Sequence, residues 1–218
     1  MFICPPASLL NRKIAKAKFL ANSHPSTRIR ELLTSQVQDI IWHAKLSPES
    51  INLPATPAVA EIEVFHLALK GKDVHPDLLD FLDKSIPHPI IFRLKNIEGH
   101  LAYSAAYKRP SESELFGHVL GSRFSTPFTP QSSSPLVLPT ALDLEKLYLI
   151  LFEQLLPLSA RSNEPLEALI LRNKQHQLLS RQIQALQNKA NREKQFNRRV
   201  ALNQELNLLK DQLDTLQS

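Results

Sequence analysis

Apolar and polar positions in the middle of the chain follow a pattern that predicts a β-α-β-β unit. Residues 60–70 form an apolar run of strand length. Residues 73–86 carry apolar side chains at helical spacing, which predicts one short helix. Residues 90–94 and 101–107 then predict a hairpin in which Gly99 occupies the left-handed turn position. The expected fold class is α+β, with a small mixed sheet covered by helices.

The segments on either side of this unit give further elements. Residues 6–20 predict a short helix or an irregular segment over the core. Residues 26–45 predict a long helix, because a capping serine precedes apolar positions spaced three and four apart. Residues 115–124 predict a further strand or irregular pair, and 125–139 a proline- and serine-rich loop. Residues 141–156 predict another helix.

Residues 163–218 predict a helical arm with the character of a coiled coil, following an α+β domain at 1–160. Two seams of mostly apolar side chains recur at three- and four-residue spacing. They comprise His176, Leu179, Ile183, Leu186 and Ala190, and then Leu202, Leu206, Leu209, Leu213 and Leu216. The seams lose register between residues 191 and 199. This predicts an antiparallel helical hairpin or two helices packed on a partner; one long helix with a skip is the alternative.

The apolar faces of the β-α-β-β unit also predict which side chains form the core. The set expected to be largely buried around one sheet comprises Phe65, Leu67, Phe81, Ile91, Phe92 and Tyr103.

Composition narrows the class of protein. No apolar run approaches the roughly 20 residues of a membrane span, and the first residues lack the order of a signal peptide. Cys4 is the sole cysteine, which excludes an internal disulfide and a cysteine-based zinc site. We therefore expect a cytoplasmic protein with no membrane segment, no metal and no cofactor.

Charge is distributed unevenly along the chain. Residues 1–30 carry a net charge of +6 and residues 172–199 carry +7, whereas the whole chain carries only +5. The rest of the chain therefore has a net charge of −8. An acidic core with two basic ends favours a polyanion or an acidic protein surface as partner.

The basic cluster of the arm comprises Lys189, Arg192, Lys194, Arg198 and Arg199. One interpretation is a solvated face of a coiled coil. The other is contact with a protein partner or with DNA phosphates. Phe196 is the one aromatic residue among these cations, so any DNA contact is expected to be non-specific.

Glu61, Glu63 and Lys108 are the candidate catalytic residues. Nucleases of the restriction type place an acid on one strand and an acid-x-Lys pair on the next, because carboxylates hold the magnesium ion that activates water. Here Ala106 stands where that second acid belongs. The default interpretation is therefore that Glu61 and Glu63 solvate an edge strand and that the chain has no catalytic residue, and the catalytic interpretation is the alternative.

Other catalytic signatures are absent from the sequence. No two histidines with an accompanying acid have the i, i+4 spacing of a zinc hydrolase. The sequence has no Gly-x-Ser-x-Gly elbow, and its four glycines form no phosphate-binding loop.

Several strings of the sequence resemble the bacterial and archaeal family called domain of unknown function 4391, over nearly the whole chain. They are INLPAT at 51–56, EIEVF at 61–65, IPHPIIF at 86–92, AAYKR at 105–109 and EKQFNR at 193–198. The family has no assigned chemistry, so the resemblance implies no catalytic residue. It implies a context, since such proteins are often encoded beside DNA methyltransferases and superfamily-two helicases in restriction-like defence clusters.

Two hypotheses follow from the sequence. The first is a non-enzymatic accessory subunit that docks on a methyltransferase or helicase and uses its basic arm to contact DNA or protein. The second is a divergent metal-dependent nuclease that uses Glu61, Glu63 and Lys108.

Overall fold

A computed structural model describes residues 3–23, 25–111, 118–130 and 137–217. The chain divides into two compact units, Met1–Leu155 and Leu156–Ser218. Within the described residues the strands are β1 Leu9–Ile14, β2 Val37–Leu46, β3 Ile62–Leu69, β4 Ile90–Lys95, β5 Leu101–Pro110 and β6 His118–Ser125. The helices are α1 Lys16–Ser23, α2 Thr27–Gln36, α3 Pro48–Ile51, α4 Pro76–Lys84, α5 Leu144–Glu153, α6 Leu166–Arg192 and α7 Phe196–Gln217.

The six strands form one mixed sheet in the order β1-β2-β3-β4-β5-β6. β3 and β4 are parallel, and all other neighbours are antiparallel. Only the parallel pair needs a crossover, and α4 supplies it. The predicted β-α-β-β unit is β3-α4-β4-β5, and the α+β fold class is confirmed.

The prediction was wrong for the segments before β3. Residues 6–20 contain β1 followed by α1, and residues 26–45 contain α2 followed by the long strand β2. Ser26 caps α2 as expected, since its hydroxyl accepts a hydrogen bond from the Ile29 amide. Beyond Gln36 the apolar positions fit either a helix or a strand. Pairing with β1 on one side and β3 on the other decides the outcome.

The hairpin between β4 and β5 forms as predicted. Gly99 has a φ of 82°, in the region that residues with a Cβ rarely adopt. Asn96 holds the turn, because its side-chain oxygen accepts hydrogen bonds from the backbone amides of Glu98 and His100.

A large cluster of core side chains lies on the sheet face that carries Phe65, Leu67 and Phe92, where α2 and α4 pack. Of the six side chains predicted to be buried, Phe65, Leu67, Ile91 and Phe92 are at most 5% exposed. Phe81 and Tyr103 are half-buried, which corrects the prediction for these two. Strand alternation places Ile91 on the face opposite Phe92.

Helix α5 packs with aromatic side chains of β5 and β6. Phe152 contacts Tyr107 and Phe124, with ring centroids 5.5 and 5.8 Å apart. The Tyr148 hydroxyl donates to the Ala106 carbonyl and accepts from the Lys108 amide, at 2.9 Å each. A buried tyrosine therefore bridges backbone groups of β5 on either side of Tyr107.

The second unit contains an antiparallel helical hairpin, which agrees with the first alternative for the arm. Helix α6 ends at Arg192, Glu193–Gln195 forms the turn, and α7 begins at Phe196. Ala190, Leu202 and Leu206 are buried near the turn, with Ile183 and Leu186 packed against them. At the other end, Arg172 pairs with Glu164 at 2.6 Å and donates to the Leu216 carbonyl.

Residues 112–117 and 131–136 lie outside the described residues. They include the first part of the strand predicted at 115–124 and the middle of the loop predicted at 125–139. The rest of that loop has no helix, and its Thr129 forms an isolated bridge with Leu101. Among the helices that the structure describes, none has the length and apolar character needed to cross a membrane.

Candidate functional site

Glu61 and Glu63 meet at an open pocket of about 330 Å³ on the core-facing side of the sheet. Glu61 directly precedes β3 and Glu63 is the second residue of the strand, and in extended backbone two residues that are two positions apart project from the same face. The apolar wall consists of Ile14, Phe19, Trp42, Phe65 and Ile86. The pocket is at the small end of the size range of ligand sites.

Glu63 lies in a central strand and is buried, with only 3% of the residue exposed. Its Oε2 accepts a hydrogen bond from Trp42 Nε1, and the two glutamates share a further hydrogen bond. Burial raises the pKa of Glu63 to about 7, the Trp42 hydrogen bond opposes the rise, and Glu61 adds to it. Near neutral pH, the protonated and the ionised forms of Glu63 are therefore both populated.

Glu61 is the ionised member of the pair. Its oxygens lie 2.5 Å from Lys45 Nζ and 3.1 Å from His88 Nε2. Burial opposes ionisation, but the Lys45 hydrogen bond and the His88 interaction outweigh it, and the pKa of Glu61 is lowered. The pocket thus presents one carboxylate and one carboxyl group with a pKa of about 7, and such a pair can serve general acid-base chemistry.

The structure corrects the expectation that Glu61 and Glu63 solvate an edge strand. β3 lies between β2 and β4, and Glu63 pairs in register with Lys45 and Ile90. The two carboxyl groups point toward the pocket and its polar neighbours. No sequence pattern indicated that Trp42, Lys45 and His88 would lie beside them.

Lys108 does not line this pocket. It is 4% exposed, and its Nζ donates hydrogen bonds of 2.8, 2.9 and 2.8 Å to the carbonyls of Asp83, Ile86 and His88. An ammonium group has three hydrogens, so these carbonyls use all of its donors. The structure therefore brings Glu61 and Glu63 together and holds Lys108 in a separate network under the loop that follows α4.

That network contains two charged groups that sequence reasoning missed. Asp83 is fully buried, and Lys108 Nζ lies 3.3 Å from its Oδ1, an ion pair without hydrogen-bond geometry. Arg123 of β6 binds the other carboxylate oxygen, Oδ2, and also contacts Asp80 at 2.7 Å. Asp83 follows Leu82 on the buried side of α4. An acidic residue among the apolar core positions of this helix is the sequence signal that could have identified Asp83.

The five basic residues of the arm cluster at the hairpin turn. Lys189 and Arg192 belong to the last turn of α6, Lys194 lies in the connection, and Arg198 and Arg199 lie in the first turn of α7. All five are exposed, and none forms an ion pair with another described residue. The one acid of the turn, Glu193, accepts a hydrogen bond from the Gln195 amide. Residues 189–199 carry a net charge of +4.

The described part of the chain contains no group of three or more His, Cys, Asp or Glu side chains placed to hold a metal ion. The carboxyl pair with His88 is therefore an arrangement of hydrogen bonds and charges. Any metal bound there would need ligands from water or substrate.

Comparison with known proteins identifies the family of the chain and nothing more specific. No curated protein and no solved structure matches it. The model of one family, Domain of unknown function (DUF4391), matches residues 2–213 of the 218. The chain belongs to the DUF4391 family.

Proposed function

We propose that this protein is a non-enzymatic interaction subunit that binds an anionic surface through the turn of its helical hairpin. DNA phosphates are the first candidate for that surface. In the restriction-like context that the family resemblance implies, the assembly would include a DNA methyltransferase or a helicase. The proposal depends on the unpaired cations at the turn.

The position of Arg198 and Arg199 is the observation that carries the proposal. A helix N-terminus has a partial positive charge, so cations there are unfavourable by about 0.3 to 1 kcal/mol each. The first turn of α7 contains these two arginines and no acid. Lys189 and Arg192 stabilise the C-terminus of α6, but the two α7 arginines do not stabilise their own helix. Binding an external anion accounts for their placement.

A second argument comes from the shape of the turn. The hairpin brings the ends of α6 and α7 together, so cations that are ten residues apart in sequence belong to one exposed surface. Such a surface can contact several phosphates at once, and each contact releases counterions. Phe196 is the one aromatic side chain of the turn, so the turn has no row of rings on which successive bases could stack. We therefore expect general rather than sequence-specific binding.

The test is a fluorescence anisotropy titration of labelled duplex DNA at roughly 50 and 200 mM salt. The variant replaces Arg192, Lys194, Arg198 and Arg199 with alanine. The control variant replaces Lys174 and Arg181, two exposed cations further back on α6, with alanine. We expect the fourfold variant to flatten the slope of log affinity against log salt by roughly 3 to 4 units, at about 0.9 per lost contact.

Three outcomes would each contradict part or all of the proposal. Equal binding by wild type and the fourfold variant would remove the turn from DNA contact. Absence of DNA binding at low salt would refute DNA as the anionic surface. Affinity purification from the native host, with wild type and the fourfold variant as baits, then tests an acidic protein partner. Identical sets of recovered proteins would refute the turn as an interaction surface altogether.

A divergent metal-dependent nuclease is the second candidate function. The paired carboxyl groups of Glu61 and Glu63 in an open pocket favour it. The full use of the Lys108 donors and the presence of Ala106 weigh against it. The test of this candidate is to incubate plasmid DNA with the protein and Mg²⁺ or Mn²⁺, and we expect no cleavage. Cleavage that Glu61→Gln abolishes and the exposed control Glu153→Gln retains would establish the nuclease.

A further inference from the structure

Opposite the pocket, the other face of the sheet carries a row of cationic and polar side chains. In register across the sheet, His66 of β3 pairs with Arg93 of β4, and Arg93 pairs with Tyr103 of β5. Directly paired residues point to the same face, and neighbouring strands are about 4.8 Å apart. His43 of β2 lies close enough to His66 to act on it electrostatically. All four side chains are half-buried.

Two nitrogens in this row are buried and have no hydrogen-bond partner: Arg93 Nε and His66 Nε2. Such groups are rare in native proteins, because a buried polar atom without a partner loses its hydration and gains nothing. Two further buried atoms in the described chain have no hydrogen-bond partner. Asp83 Oδ1 lies 3.3 Å from Lys108 Nζ, and His176 Nδ1 is in the second unit. Arg93 and His66 are paired in register on neighbouring strands, so a single bound group can contact both side chains.

Arg93 differs from the other half-buried or buried arginines of the chain in having no carboxylate. Arg123 pairs with Asp80 and Asp83, and Arg172 pairs with Glu164. Within the described residues Arg93 forms no ion pair, and the groups it acts on are His43, His66, Tyr103 and Cys4. A half-buried arginine without a carboxylate partner has a charge that an external anion can pair with.

We infer that Arg93 and His66 form a binding site for a phosphate group, supplied by a free phosphate compound or by a nucleic-acid backbone. Arginine presents its nitrogens as a fork that matches the oxygens of phosphate. An imidazole on the neighbouring strand adds a donor from a second direction. This site lies on the sheet, so it is independent of the proposed function of the hairpin turn.

The histidine gives the site a signature of its own. Without an anion, burial together with Arg93, His43 and Lys95 lowers the pKa of His66 to about 4. His66 is therefore neutral at pH 7. A bound phosphate favours the imidazolium form and raises the pKa of His66. Binding should take up a proton, which an adventitious contact at an exposed lysine would not do.

The experiment is an NMR titration of the full chain, in which the imidazole signals of His66 are followed while inorganic phosphate is added. Parallel titrations use a nucleoside monophosphate, a short single-stranded oligonucleotide, acetate and, for ionic strength, sodium chloride. The hairpin variant with four alanines is used as the background, so that failure of one proposal cannot be mistaken for failure of the other. We expect phosphate to move the His66 signals and to raise the pH at which they titrate.

Variants locate the site. Arg93→Gln should weaken phosphate binding roughly ten- to hundredfold, the loss expected for one charge-assisted hydrogen-bonded contact. Arg12→Gln, on an exposed arginine of β1, should leave it unchanged. Arg93→Lys keeps the charge without the fork and should give an intermediate loss, which covers the case in which Arg93→Gln fails to fold.

The arms of the experiment distinguish the sources of the phosphate. Saturation by inorganic phosphate or the monophosphate indicates a free compound, and saturation by the oligonucleotide alone indicates a backbone. Effects that sodium chloride or acetate reproduces would overturn the inference. So would His66 signals that do not respond to any phosphate, because the two unpartnered nitrogens would then be satisfied by water.

Discussion

Replacing Lys108 with methionine tests whether this lysine holds the first unit together. The substitution keeps the length and the apolar stem of the side chain and removes the ammonium group. Three backbone carbonyls, those of Asp83, Ile86 and His88, lose their hydrogen-bond donor at once. The Asp83 carboxylate loses one of its two cations and keeps Arg123.

The expected cost is about 4 kcal/mol in the free energy of unfolding. Removing one partner of a buried ion pair costs about 3 to 5 kcal/mol, because the other charge is left without compensation. Arg123 lowers this cost, since it still neutralises Asp83. Each carbonyl that loses its donor and is not reached by water raises the cost by about 1 to 3 kcal/mol. Ile86 and His88 are half-buried, so water can reach their carbonyls once the loop relaxes.

Urea unfolding at pH 7, followed by tryptophan fluorescence, measures this cost. Trp42 is the sole tryptophan and lies in β2, so the signal reports on the first unit and not on the hairpin. Lys84→Met is the matched control, because Lys84 is exposed and adjacent to Asp83. It should change stability by less than about 0.5 kcal/mol. A loss below about 1 kcal/mol for Lys108→Met would refute the structural role and leave Lys108 available for chemistry.

Two further predictions concern the core and the carboxyl pair. Phe92→Ala should cost about 3 to 5 kcal/mol, since Phe92 is 1% exposed and its loss leaves a cavity; a thermal melt like that of wild type would contradict its place in the core. The pKa of Glu63 is raised from 4.5 to about 7, so the folded chain binds a proton that the unfolded chain releases in this range. Stability contributed by Glu63 is full below pH 4.5 and declines by up to about 3 kcal/mol as the pH rises through 7. The free energy of unfolding of Glu63→Gln, measured in urea, should therefore rise relative to that of wild type between pH 5 and 8. A difference between the two proteins that is constant with pH would refute the raised pKa of Glu63.

Sequence patterns were sufficient for the parts of the fold whose contacts are local. The β3-α4-β4-β5 unit follows from a strand-length apolar run, a capped helix and a turn that needs Gly99. β2 could not be found in the same way, because Val37, Ile40, Ile41 and Ala44 satisfy the three-and-four spacing of a helix. What makes this segment a strand is pairing with residues of β1 and β3 that are 16 or more positions away in the chain. Long-range pairing overrode a local pattern that fitted both structures.

The candidate site could likewise be predicted from the sequence only in part. Glu61 and Glu63 were recognised together because alternate residues of a strand share a face. Lys108 was grouped with them on sequence spacing, which says nothing about where a side chain from β5 ends. It ends on Asp83, 25 positions earlier in the chain, and Arg123 reaches the same carboxylate from β6. Contacts of this kind depend on the completed sheet.

The two proposals rest on the same kind of observation, namely whether a cation has a carboxylate partner within the described residues. Lys108, Arg123 and Arg172 are shielded from water, and each has a carboxylate partner. Their charge is therefore used within the fold and is unavailable to a ligand. The turn cations Arg198 and Arg199 have no such partner, and they lie at the helix end where their charge is unfavourable. Arg93 has no carboxylate either, although it is half-buried. Because none of these three arginines has a carboxylate partner among the described residues, we propose that an external anion accounts for their positions, at the hairpin turn and on the sheet alike.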